Sequence, residues 1–239
     1  MTAKTASKTE TGRTLFSGSM KLSDLLDINY RLLPLLPRIG IPFGFGEDTV
    51  EEACRKNGVN ASTFLLICNV YTFDGYRPPK DMLRRTDLRD IVKYLHQSHT
   101  YYMDSALQAL SDGISRMIEP CEERQKKVIR RFFQQYKEEV AKHFGYEENT
   151  VFPYVLSVLG HTGGQDYTIL QYEENHSNIE EKLDDLKNIV MKYLPAGCDN
   201  SIVSDVLQFM FLLGEDLQKH TMIEDEILIP MVNRLEEEQ

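Results

Sequence analysis

Two short stretches carry the residue types that do chemistry. His143-Phe144-Gly145-Tyr146-Glu147 and His220-Thr221-Met222-Ile223-Glu224 lie 77 positions apart and share one pattern. Each reads His-x-x-x-Glu and is followed at once by an acid, Glu148 or Asp225. Each continues with an apolar pair (Val151-Phe152, Leu228-Ile229) and then a proline, Pro153 or Pro230. On a helix, residues four apart share one face, one turn apart. A single His-x-x-x-Glu is an ordinary solvated pair contributing about 0.2–0.5 kcal/mol. Two copies with the same trailing spacing are another matter. Turned toward each other, they offer two imidazoles and two carboxylates, the outline of a metal site.

The other histidines extend the pattern. From His96 to His143 is 47 residues, and from His176 to His220 is 44. Each half therefore has a helix with a lone histidine, a turn, and a helix with His-x-x-x-Glu. Two such hairpins packed face to face gather His96, His143, Glu147, His176, His220 and Glu224, and bundle cores hold sites of this kind. The first helix leaves its ligand open, because its apolar stripe brings His99 nearer the centre than His96. Imidazole and carboxylate without thiolate suit iron or manganese better than a soft metal. Zinc takes four ligands per site, whereas six shared donors read as a dinuclear pair. Glu139 and Asp216, each four residues before a motif histidine, fall on the same face as supporting acids. Glu180 follows His176 by four but lacks the trailing motif, and His161 falls in a glycine-rich loop. Tyr101, Tyr102, Tyr146 and Tyr172 are candidates to wall a pocket or to fill the core.

The elements that must hold these residues are helices. Residues 1–19, rich in Thr, Ser and Lys, read as a disordered leader. Residues 20–74 read as a small helical domain, with a leucine-dense helix that Pro34 or Pro37 ends or kinks. A glycine-rich loop follows at 40–46, then a helix capped by Asp48 or Thr49, then one opened by Asn60 or Ser62. Residues 75–86, with Pro78-Pro79, read as a linker. Residues 87–239 read as four long helices, about 87–110, 120–153 or beyond, 166–194 and 200–235, joined by short polar turns. The fold class is all-α, an antiparallel four-helix bundle preceded by a small helical domain.

Composition narrows the function classes. The 239 residues carry a formal net charge of -10, which argues against a nucleic-acid surface. No apolar run is long enough to span a membrane. Cys54, Cys68, Cys121 and Cys198 are scattered without a Cys-x-x-Cys, as in a protein of a reducing cytoplasm.

The histidine pattern resembles the hemerythrin-like fold, and within it the repair-of-iron-centres family of di-iron proteins. In that family the first ligand lies within Tyr-His-x-x-His, here Tyr94-Leu95-His96-Gln97-Ser98-His99, and the alignment selects His96. The second and fourth helices carry His-x-x-x-Glu, matched by His143 with Glu147 and His220 with Glu224, and the third carries one histidine, matched by His176. Oxygen-carrying hemerythrins differ, with a second histidine in the third helix, where this chain has Glu180, and His-x-x-x-x-Asp in the fourth. The resemblance implies two iron ions, oxo-bridged, in preference to manganese or zinc. It implies a role in restoring iron–sulfur clusters after nitrosative or oxidative stress, with nitric oxide or dioxygen as small ligand and damaged iron–sulfur proteins as partners. The chain departs from the family pattern at Phe43-Gly44, which stand where the family has Cys-Cys, and at Asn175, where an acid often precedes the third-helix histidine. Loss of that thiol pair raises a second expectation, a di-iron sensor or binding module without turnover.

Overall fold

The computed structural model describes residues 15–160, 167–175 (173–175 by backbone only), 179–195 and 197–238. Among these, helices dominate and the only β-pairing is an isolated bridge between Lys21 and Thr49. The chain forms two compact units, one of residues up to Ser98 with Met222 onward, the other His99–Thr221.

In the first unit, the leucine-dense segment is not one helix. It breaks into α1 (Leu22–Ile28), a 3-10 turn (Tyr30–Leu32) and α2 (Leu35–Ile39). The break is at Asn29, ahead of Pro34. The Asn29 side chain accepts from the Arg31 N–H and donates to Thr72 Oγ1, so it competes with helix continuation. Gly40, at φ +93°, then ends α2 in the left-handed conformation. Thr49 caps α3 (Val50–Lys56) in a reciprocal box with Glu52, and Asn60 caps α4 (Ala61–Thr72) through the Thr63 N–H. The segment expected as linker holds a short helix, α5 (Lys80–Arg85), started by Pro79. The end of the expected leader is packed. Leu15 and Phe16 are buried, and Phe16 lies 5.3 Å from the Phe73 ring.

The second unit contains the end of α6 (Leu88–Tyr101), α7 (Leu107–Met117), α8 (Glu123–Tyr146), α9 (Phe152–Leu159), α10 (Ile169–Asn175), α11 (Glu180–Tyr193) and most of α12 (Asn200–Ile223). These make the four rods of a helical bundle. Its core repeats at alternating steps of three and four: Leu107, Leu110, Ile114 and Met117 on α7; Ile129, Phe133, Tyr136 and Val140 on α8; Leu183, Leu186 and Val190 on α11; Val206, Met210, Leu213 and Leu217 on α12. That spacing is the seam of helices packed nearly parallel to one another. Carried forward, the α8 stripe reaches His143 and Glu147, and the α12 stripe reaches His220. The polar motif residues thus occupy core positions. Among the described residues no helix is long and apolar enough to cross a membrane.

Leu183 has no exposed surface, whereas Leu212 is 43% exposed. Leu183→Ala is expected to cost about 2–5 kcal/mol, read as a fall in Tm of roughly 5–15 °C, and Leu212→Ala less than about 1 kcal/mol; thermal circular dichroism distinguishes them.

Candidate metal centre

The motif helices are locally unusual. α8 does not run directly into α9. A π-turn, Glu147–Val151, intervenes, with the Phe152 N–H bonded to the Glu147 carbonyl. The second copy repeats this at Glu224–Leu228, with the Ile229 N–H bonded to the Glu224 carbonyl, before α13 (Ile229–Glu237). Each π-turn starts on the motif glutamate, and each following helix begins with the motif proline in its first turn. Inside a regular α-helix that proline would lose a hydrogen bond and press its ring on the carbonyl four residues back, at about 3 kcal/mol. The wider turn removes the conflict, and π-turns of this kind are frequent at functional sites. A third π-turn, Tyr102–Ala106, follows His99.

His99, His143, Glu147, His220 and Glu224 are all buried, and both glutamates have no exposed surface. One donor atom from each of His99, Glu147, His220 and Glu224 lies within 4.8 Å of the others. Glu224 follows His220 by four residues on one uninterrupted helical run. His143 joins through Glu147, with its Nε2 3.0 Å from Oε1. Tyr172 donates to that same oxygen at 2.7 Å. The Nε2 of His99 is 3.1 Å from Glu147 Oε2 and 3.1 Å from His220 Nε2. Its Nδ1 is 2.7 Å from Glu148 Oε1. The ring stacks on Phe144 at 4.0 Å and Phe152 at 5.4 Å.

The His99 geometry states the chemistry. With its proton on Nδ1 and given to Glu148, His99 would offer the Nε2 lone pair to a cation shared with Glu147 and His220. His99 Nε2, at 3.1 Å from both a carboxylate oxygen and a second imidazole nitrogen, belongs to a buried set of donor atoms that suits a cation. A carboxylate holding the outer nitrogen of an imidazole is also the usual support for a ligating histidine. Burial alone would raise the pKa of Glu147, but the hydrogen bonds from His143 and His99 outweigh it and hold the carboxyl well below the ordinary range. The donor set is nitrogen and oxygen without sulfur, which suits a borderline or hard cation such as iron.

Of the residues expected from sequence, His143, Glu147, His220 and Glu224 come together here. His96 does not, being exposed while His99 is buried. On α6 the inward stripe is Leu88, Ile91, Val92, Leu95 and His99. One residue on from Leu95, His96 is rotated about 100° out of it. His176 and His161 lie outside the described residues. Glu139 pairs at the surface with Lys182, and Glu180 accepts a hydrogen bond from Thr221 at 2.9 Å. Glu148 and Tyr172 carry roles that spacing did not assign. The acid immediately after each His-x-x-x-Glu was the available signal for the first, and nothing local signalled the second.

The Hemerythrin HHE cation-binding domain matches residues 90–232, a span that contains both motifs, both first-helix histidines and His176. No curated protein matches the chain.

Tyr172→Phe removes a buried donor to an ionised carboxylate. The metal-free variant is expected to lose about 1.5–3 kcal/mol of stability in urea denaturation with an unchanged m-value.

Proposed function

This chain belongs to the hemerythrin HHE cation-binding domain family, and from that premise we propose that it holds a non-haem di-iron centre used on a small diatomic ligand. The ligands are His99, His143, Glu147, His220 and Glu224, with His176 as the sixth. The observation that carries this reading is the buried His99 Nε2, 3.1 Å from both His220 Nε2 and Glu147 Oε2, with the other ring nitrogen of His99 held by Glu148. Two irons supply reversible one-electron changes and open positions for a diatomic ligand.

The protein groups then have separate tasks. Glu147 and Glu224 would hold the ions and balance their positive charge. The imidazoles supply neutral donors that leave the total charge low. Glu148 and the Phe144 and Phe152 rings fix the orientation of His99. Tyr172 donates its hydroxyl hydrogen bond to Glu147 Oε1, which helps fix the orientation of that carboxylate. Phe144 and Tyr102, both buried beside His220, keep bulk water away from it.

The physiological task we propose is repair of iron–sulfur clusters damaged by nitric oxide or oxidants, with damaged iron–sulfur proteins as partners. One observation favours a second reading, a sensor or binding module for nitric oxide, dioxygen or redox state. The loop where a thiol pair would act carries Phe43, 60% exposed, and Gly44 at φ +87°, which cannot provide thiol chemistry.

Protein from iron-replete cells is expected to contain about two irons per chain and a charge-transfer band of oxo-bridged ferric iron. His99→Ala should lower iron content at least about tenfold while His96→Ala leaves it unchanged. Iron content that is lost in His96→Ala and kept in His99→Ala would overturn the ligand set. Turnover of nitric oxide under reducing conditions supports repair; reversible binding without turnover supports the sensor.

A further inference from the structure

Four cysteines that look scattered in sequence are not equivalent in space. Cys121 and Cys198 are 77 residues apart, yet their sulfurs lie 3.5 Å from each other, both as free thiols. Each precedes the capping residue of a helix. Glu122 caps α8 in a reciprocal box with Gln125, and Asp199 accepts from the Ser201 N–H at 2.8 Å at the start of α12. Gly197, at φ +111°, turns the chain to deliver Cys198. The two sulfurs are thus brought together by main-chain anchors on both sides. The sulfur separation exceeds the roughly 2.05 Å of a disulfide by about 1.5 Å.

We infer that Cys121 and Cys198 are a redox-active dithiol of this protein, oxidised to an intramolecular disulfide by a low-molecular-weight disulfide. Cys198 is partly exposed and Cys121 is buried, which assigns the order of attack. The Cys198 thiolate attacks one sulfur of the small disulfide and releases one small thiol. The Cys121 thiolate then attacks Cys198 Sγ, forms the protein disulfide and releases the second. The protein loses two electrons and two protons, and the small disulfide gains both. Burial and the neighbouring Cys198 push the Cys121 thiol up to about 11, so the second attack is the slow one. Cys54 and Cys68 provide an internal contrast. Both are buried, burial pushes Cys54 up to about 12 and Cys68 well above its ordinary value, and they are closed to the reagent. The site is independent of any metal.

The test is equilibration of the full-length protein in glutathione redox buffers, followed by acid quench, alkylation under denaturing conditions and peptide mapping. The wild type should become lighter by two hydrogens, with a Cys121–Cys198 cross-linked peptide and with Cys54 and Cys68 still alkylated. Its Tm should rise by roughly 5–10 °C on oxidation, since the bond closes a long loop in the unfolded chain. Cys121→Ser should stop at a mixed disulfide on Cys198. A mixed disulfide persisting on Cys198 in the wild type, a cross-link between other cysteines, or four alkylated thiols in the most oxidising buffer would each overturn the inference. The wild-type mapping needs no variant, so misfolding of Cys121→Ser cannot rescue it.

Discussion

An ionised carboxylate with no exposed surface is the constraint on which the site depends. Glu147 occupies a core position of α8, and burying a charge there is costly unless it is met by hydrogen bonds and opposite charge. His143 from one turn earlier, His99 from α6 and Tyr172 from α10 meet it. That requirement explains much around it. The first-helix histidine must be the one on the inward stripe, and its outer nitrogen needs an acceptor, which is the acid next in sequence, Glu148. The imidazole plane must be held, which Phe144 and Phe152 do by stacking.

The repeat in the sequence is a repeat of backbone geometry as well as of donor atoms. In both motif helices the glutamate opens a π-turn and the proline comes after it. A π-turn inserts an extra residue into the helical register and shifts the phase of the helix beyond it. The positions before the turn can therefore point a polar stripe inward while the apolar residues after it (Val151 and Phe152, Leu228 and Ile229) still reach the core.

The same helices use their opposite ends differently. The turns before α8 and α12 are fixed by side-chain caps, and each presents one cysteine. The mechanical effect of those caps is to hold two sulfurs at a defined separation, in the way the core stripe holds two imidazoles. In the N-terminal segment caps again decide the path, since Asn29 interrupts a run of leucines that periodicity alone would make a single helix.

The helical class, the long bundle helices and the paired His-x-x-x-Glu motifs were legible in the sequence because period and capping are local properties. Thr49, Asn60 and Asn200 mark helix starts in the structure as they do in the sequence. The donor types, nitrogen and oxygen without sulfur, come from the composition of the motifs and already limit the cation. What only the tertiary structure decided depends on phase and on distance across the chain. The apolar stripe of the first helix leaned toward His99 while the family resemblance selected His96, and the packing of α6 puts His96 outside and His99 in. Tyr172 reaches Glu147 from 25 positions away, and Cys121 meets Cys198 from 77. A sequence records which groups a chain owns and which face of a helix is apolar; which groups from distant helices share a dry, crowded space is set by how those helices pack.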